Sequence, residues 1–333
     1  MPLPANLTPQ YRQAEDKYRE AKTTEEKLAR LEDMLAIIPK HKGTEHLQGD
    51  IKARIAKLKK LDEQKPGGSA RSAMYNVEHE GGGQVALVGP ANSGKSKLLS
   101  MISKAQPEIG DYPFTTHKPL PGMMPYEDIN IQIVDMPPIT EEFVEPWMPA
   151  IARNADAVLF VVDMSDGSVL HQIDEVLRTI EKFRVRLWGW DRPAPPDETG
   201  FTVTRKTILV ANKIDRPDSA ENLDVVREFY GDRFPIAPVS SEHGEGLEDL
   251  KEQVFRMLDV VRVYTNIPGK PADMDAPYVL SRGSTVQDLA TMVHKDFAQK
   301  LKFARIWGAT KFEGQMVSRD QILSDRDVIE LHA

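Results

Sequence analysis

Gly89-Pro90-Ala91-Asn92-Ser93-Gly94-Lys95-Ser96 has the spacing of a phosphate-binding loop. The apolar run Val85-Ala86-Leu87-Val88 precedes it and the helix-compatible Lys97-Leu98-Leu99-Ser100-Met101-Ile102 follows, the strand, loop and helix order this motif requires. Gly89 and Gly94 let the backbone curl so that several N–H groups point inward, and the helix presents its positive N-terminal end to an anion. Lys95 then reaches the β- and γ-phosphates as a point charge, and the Ser96 hydroxyl ligates Mg2+. The expected nucleotide-binding stretch is Asn92, Ser93, Gly94, Lys95, Ser96 and Lys97.

Outward from this loop, to about residue 262, short apolar strands alternate with helical segments. The strands are expected at 84–88, 130–135, 157–162, 207–211 and 236–239, with helices among the intervening segments at 169–183 and 247–258. Such alternation implies an α/β fold with a mostly parallel sheet, helices on both faces and ligand loops at the carboxyl ends of the strands. Asn212-Lys213-Ile214-Asp215 lies at one of those ends, after Ile208-Leu209-Val210-Ala211. The Asp215 carboxylate can accept both the N1–H and the exocyclic amine of guanine, whereas adenine offers no matching pair of donors. This selects GTP and GDP over adenine nucleotides. Asn212 is expected near N7 and as a tie between loops, with the stem of Lys213 over the base. In Pro238-Val239-Ser240-Ser241-Glu242 a backbone N–H near Ser241 would face the guanine O6; an ordinary capped helix start is the other reading. Asp135 ends a strand preceded by Thr115-Thr116 in the Pro/Gly-bounded segment 111–122. Thr116 is expected to ligate Mg2+ when the γ-phosphate is present, and Asp135 to hold the metal through water.

At 333 residues the chain has room for two or three domains. A net charge of −8 argues against whole-protein attraction to nucleic acid but allows a local basic face. The absence of cysteine excludes disulfides, thiolate zinc sites and cysteine nucleophiles. The amino terminus lacks a charged segment followed by an apolar core, and no apolar run approaches the ~20 residues that cross a bilayer, so a cytoplasmic protein without a membrane partner is expected.

Two flanking regions differ in texture. Leu28, Leu31 and Leu35, then Ile51, Ile55, Leu58 and Leu61, recur at helical spacing around the stop Pro39-Lys40-His41-Lys42-Gly43, with Thr44 as the second cap. A helical hairpin is expected over 1–66. Lys40, Lys42, Lys52, Arg54, Lys57, Lys59 and Lys60 make its second half basic, which suits either a phosphate-backbone contact surface or the solvated face of an amphipathic helix. Glycine clusters bracket a linker at 67–83. After residue 263, strands at 278–280, 303–307 and 328–331 and a helix over 285–294, opened by Ser284, suggest a small α+β module.

Asp111-Tyr112-Pro113-Phe114-Thr115-Thr116, with Pro121-Gly122 after it, resembles the first switch of Obg-related GTPases. Val263-Tyr264-Thr265, Ser284-Thr285-Val286, Val293-His294-Lys295, Ile306-Trp307-Gly308 and Asp325-Arg326-Asp327-Val328-Ile329 resemble the TGS domain of the developmentally regulated GTP-binding (DRG) subfamily. Lys42-Gly43-Thr44-Glu45-His46-Leu47 and Lys52-Ala53-Arg54-Ile55-Ala56-Lys57-Leu58 resemble its amino-terminal hairpin. The resemblance implies a P-loop GTPase domain over 84–262 and a ubiquitin-like β-grasp TGS domain over 263–333. It implies a cytoplasmic, Mg2+-dependent GTP-hydrolysing switch associated with ribosomes or translation, with the hairpin and TGS domain meeting RNA or protein partners. Asn92 matches the asparagine that helps bind K+ in potassium-stimulated relatives, where the cation replaces an arginine finger; turn geometry is the other reason for asparagine there. Lys95, Thr116 and Asn92 are the catalytic residues so implied.

Two departures stand out. Asp135-Met136-Pro137-Pro138 occupies the place of the common Asp-x-Pro-Gly, and proline has no N–H to offer a γ-phosphate. Ile139 follows, at the position of the water-orienting glutamine of Ras-like enzymes; relatives are also hydrophobic there, which fits slow, cation- or partner-assisted hydrolysis. The alternative is a nucleotide-responsive RNA- or protein-binding scaffold with negligible hydrolysis. The small inserted domain of the DRG subfamily has no room in the connection 184–205, whose Trp188 and Trp190 suit local packing or an exposed aromatic loop.

Overall fold

Strands that are covered on both faces read as unbroken apolar runs, and 85–88, 157–162 and 208–211 do so. A computed structural model describes residue 31 and residues 77–103, 119–140, 144, 147–197, 200–266, 274, 276–308 and 314–332. The chain divides into two compact units, Met1–Tyr75 and Asn76–Ala333. In the first, Leu31 is a buried helical residue. The rest of the expected hairpin, and the linker as far as residue 76, lie outside the described residues.

The second unit opens with β1 (Gln84–Val88), α1 (Lys95–Ile102), β2 (Leu120–Tyr126) and β3 (Ile129–Asp135). It continues through α2 (Met148–Asn154), β4 (Ala157–Asp163), α3 (Val169–Lys182), β5 (Val185–Gly189), β6 (Val203–Asn212), α4 (Ser219–Tyr230), β7 (Ile236–Val239) and α5 (Leu247–Leu258). The sheet order is β2-β3-β1-β4-β6-β5, with β7 also on β6. All pairings are parallel except that of β2 with β3. β2 carries Pro121 and Pro125, which an edge strand tolerates because one side of its backbone has no ladder to supply. The helix α3 turns Val169, Ile173, Val176, Leu177 and Ile180 inward. Burying each such side chain contributes roughly 1.5–3 kcal/mol, which is why a helix with so polar an outer face holds its place.

The region 184–205 is not merely a connection. β5 forms within it, and β6 starts at Val203, earlier than the apolar run suggests. The first half of β6 pairs with β5 (Val185↔Val203 to Gly189↔Thr207) and the second with β7 (Leu209↔Ile236 to Asn212↔Val239). Sequence reading missed β5 because Arg186 interrupts its five-residue run. Both tryptophans are half-buried: Trp188 Nε1 donates to Pro193 O at 3.1 Å, and Trp190 packs on the core. Local packing accounts for them.

The carboxyl-terminal part forms a separate sheet from β8 (Val260–Asn266), β9 (Tyr278–Ser281), β10 (Phe303–Trp307), β11 (Gln315–Val317) and β12 (Asp327–His332), ordered β11-β10-β12-β8-β9. β8 and β12, the first and last strands, lie side by side and parallel at its centre, as a β-grasp requires. Helix α6 (Val286–Val293) packs Val286, Leu289 and Ala290 into its core, and the short α7 (Lys295–Lys300) follows. The cap of α6 is Thr285 rather than Ser284: Thr285 and Asp288 bond each other's backbone in a capping box.

One buried guanidinium joins the two sheets. Arg262, on β8, reaches Glu127 and Asp128 in the turn between β2 and β3, holds Asp325 with a two-pronged bond, and stacks its guanidinium 4.9 Å from the Phe255 ring centre. Tyr264 donates to Asp128, and Arg326 to Glu127 at 2.7 Å.

Candidate functional site

Strands β1, β3, β4, β6 and β7 end on one edge of the first sheet, and the loops leaving that edge carry the polar groups. Glycine is required twice in the loop after β1. A Cβ at Gly89 (φ 158°) would lie 2.1 Å from Val161 O, and one at Gly94 (φ 91°) 2.3 Å from Asn212 Nδ2. The second close approach lets Asn212 cross between loops: Nδ2 donates to Ser93 O at 2.9 Å, and Oδ1 accepts from the Ser241 N–H at 3.1 Å and its Oγ–H at 2.8 Å. Asn212 is fully buried and ties three loops together, the role expected for it. The Ser241 amide, expected at the guanine O6, is engaged by Asn212, so a base oxygen there shares that donor.

Lys95 is buried at the start of α1. Its Nζ donates to Pro90 O at 2.7 Å and Gly89 O at 3.1 Å. Burial pulls its pKa down from 10.5 to about 8, opposed by the charge of Asp135. An ammonium held by carbonyl dipoles in a dry site gains strongly from an arriving anion. Beside it, Ser96 Oγ donates to Asp135 Oδ2 at 2.5 Å, while Asp135 Oδ1 is buried without a hydrogen-bond partner. Burial raises the Asp135 pKa, with the Ser96 bond and the Lys95 charge acting against it.

These groups fit Mg2+. The ion takes hard oxygen ligands and keeps several waters. Ser96 gives its proton to Asp135 and so keeps its oxygen lone pairs for a metal, and the orphaned Asp135 Oδ1 is an acceptor for a metal-bound water. Among the described residues no group of three or more His, Cys, Asp or Glu could form an all-protein metal cage.

A cleft of about 610 Å³ is lined by Asn92, Gly94, Lys95, Ser96, Lys97, Asp135 and Lys213, and by Met136, Pro137 and Pro138. Asn92 stands at φ 59°, a left-handed conformation in which asparagine is enriched. Lys97 turns its ammonium to Glu242 at 3.6 Å, which leaves its backbone N–H in the first turn of α1 as the donor without an intrahelical partner. Asp215 accepts from Ser240 Oγ at 2.6 Å and has Arg216 and His243 at 3.5 and 3.9 Å. The Ser240 bond above all holds its carboxyl below the usual range, keeping it a double acceptor at neutral pH. Thr115 and Thr116 lie outside the described residues.

Sequence reasoning missed Asp163. Its Oδ2 meets Lys213 Nζ at 2.5 Å, while Oδ1 accepts from Ser165 N at 2.8 Å. The far end of Lys213 is therefore anchored to β4, which fixes the course of its stem. The signal was a carboxylate directly after the apolar run 157–162, on the edge that carries the loops with Lys95, Asp135, Asn212 and Asp215.

This fold and loop set define a P-loop GTPase domain followed by a TGS domain. The family model described as "50S ribosome-binding GTPase" matches residues 84–194, and the TGS domain model matches residues 261–333. Along most of its length the chain is similar to developmentally regulated GTP-binding proteins. It is 28% identical to developmentally-regulated GTP-binding protein 1 of Xenopus laevis over 364 residues, covering 92% of this chain and 98% of that protein. It is 29% identical to an uncharacterized GTP-binding protein of Methanocaldococcus jannaschii, covering 92% of each. In fold it is similar to a GTP-binding protein from Pyrococcus horikoshii, with a TM-score of 0.51 and 16% identity over 75% of this chain and 99% of that one. Among the described residues no helix is long and apolar enough to cross a membrane.

Proposed function

We propose that this protein is a Mg2+-dependent, GTP-hydrolysing switch of the translation machinery, slow without its partner and stimulated by K+. What carries the reading is the joining of a phosphate site to a guanine site through one residue: Asn212 holds the phosphate loop at Ser93 and the Ser240-Ser241 loop that orients Asp215. The GTP-binding set is Asn92, Ser93, Gly94, Lys95, Ser96, Lys97, Asp135, Asn212, Lys213, Asp215, Ser240 and Ser241. Ser96 and Thr116 ligate Mg2+, and Asp135 holds it through water. Bound there, the ion neutralises charge between the β- and γ-phosphates. Lys95 binds the same oxygens, and Thr116 completes the set when the third phosphate is present.

Asn92 is the residue offered for K+. Its left-handed φ accounts for asparagine without a cation, so the rate in KCl against NaCl separates the two roles. We divide the chain into a helical hairpin (1–66), a linker (67–83), the GTPase domain (84–262) and the TGS domain (263–333). The hairpin and TGS domain are the parts proposed to meet ribosome, RNA or a translation-associated protein in the cytoplasm.

The test of the pocket is nucleotide discrimination. GDP should bind more than about a hundredfold tighter than ADP, and inosine diphosphate, which lacks the exocyclic amine, should fall between them. In Asp215→Ala the gap between GDP and inosine diphosphate should close; equal binding of GDP and ADP by the wild type would rule out the guanine assignment. A second reading, a scaffold with negligible turnover, is favoured by Ile139: it is 3% exposed and packed in an apolar pocket with Met148 and Ile180, where it cannot orient water. Phosphate release in single turnover, with KCl or NaCl and with or without ribosomes, decides between them.

A further inference from the structure

After Asp135 the cleft that holds Lys95 is lined by Met136, Pro137 and Pro138, and Ile139 follows them. Each has lost the backbone donor with which such a wall could greet a phosphate. The Met136 N–H is turned to the Asp135 carboxylate. Pro137 and Pro138 line the cleft and have no N–H. The next amide, Ile139, donates to Gly89 O at 3.3 Å, the first residue of the phosphate loop. The Ile139 side chain, among Met148, Ile180 and Val185, anchors the same segment from behind.

We propose that the Met136–Ile139 wall is a fixed, donorless face that does not read the third phosphate, and that Pro138 is the residue setting a small preference for GTP over GDP. The inference rests on the guanine-nucleotide reading above and sharpens it. In a site that senses GTP through this wall, a free amide must move toward the γ-phosphate and repay that motion with a charge-assisted bond. Here the wall has no bond to offer. Moving it would break the Ile139 bond to the phosphate loop and pull a buried isoleucine out of its pocket. Discrimination then falls to Lys95 and to the Ser96 and Asp135 pair that would hold the metal.

The experiment compares GDP and GTPγS affinities of the full chain, at fixed Mg2+, for wild type, Pro138→Gly and Pro138→Ala. Both variants restore an N–H at the cleft, and the alanine avoids the added backbone freedom of glycine. The expected result is a wild-type preference for GTPγS within about tenfold, rising a further ~tenfold in the variants, the size of one charge-assisted hydrogen bond. Hydrogen exchange of the peptide containing residues 136–140 in the wild type is expected to be the same with GDP and GTPγS, a readout independent of whether the variants fold. Slower exchange there with GTPγS, or an unchanged preference in two folded variants, would overturn the proposal. Failure of the wild type to bind GDP would instead remove the nucleotide reading itself.

Discussion

The two ends of the β2–β3 hairpin hold two polar clusters of opposite character, each built round a buried cation. At the end where Leu120 pairs with Asp135, the cluster Lys95, Ser96 and Asp135 is incomplete: one carboxylate oxygen has no partner, and the ammonium is held by carbonyl groups. At the other, beyond Tyr126 and Ile129, Arg262 is saturated by Glu127, Asp128 and Asp325, and Asp128 also takes the Tyr264 hydroxyl. Bonds from Arg262 and Arg326 hold Glu127 below the usual carboxylate range, and the bond to Asp325 leads in raising Arg262. Burial without full pairing costs free energy that a ligand can return, whereas a fully paired cluster has nothing left to bind. The first arrangement belongs to a binding site, the second to a joint.

The largest effect that tests this contrast is loss of the joint. Arg262→Ala leaves several partly buried carboxylates facing one another and should destabilise the protein by about 3–5 kcal/mol in denaturant unfolding, while GDP affinity stays within about threefold. A loss of GDP affinity comparable to the loss of stability would show that the two clusters are not separable. Next comes Lys95→Ala, which should weaken GDP and GTPγS binding by about a hundredfold or more, yet leave the melting temperature of the nucleotide-free protein unchanged or higher. A marked fall in that temperature would make Lys95 part of the structural framework.

The smallest effect is graded with pH and has opposite signs in the two measurements. Lys95 has a folded pKa of about 8, below its ordinary 10.5. Between those values the unfolded chain holds the proton and the folded one does not, so nucleotide-free stability should rise with pH across that window. Phosphate binding needs the charged form, so affinity should fall above pH 8, approaching tenfold per pH unit. Both trends should vanish in Lys95→Met; their persistence would assign them to another group.

The P-loop domain was legible in the sequence because its signals are local. Gly89 to Ser96 and Asn212 to Asp215 each follow an apolar run that must become a buried strand, and strand ends of a parallel sheet share one edge. β5 was not legible, since Arg186 interrupts its short run and its partner is the first half of β6. Thr285 displaced Ser284 as the cap of α6 through its reciprocal bonds with Asp288, a distinction of one residue that periodicity does not resolve.

Composition and motif spacing by themselves pointed to a phosphate-binding loop, an aspartate suited to guanine, an α/β domain and a smaller carboxyl-terminal module, since backbone freedom at glycine and hydrogen-bonding chemistry are properties of single residues. The tertiary structure alone decided that Asn212 ties Ser93 to Ser241, that Asp163 anchors Lys213, that Ile139 ties the segment after Asp135 to Gly89, and that Arg262 closes the joint. Each is a bond between residues far apart in the chain, and whether two such groups meet depends on how the strands are ordered in the sheets.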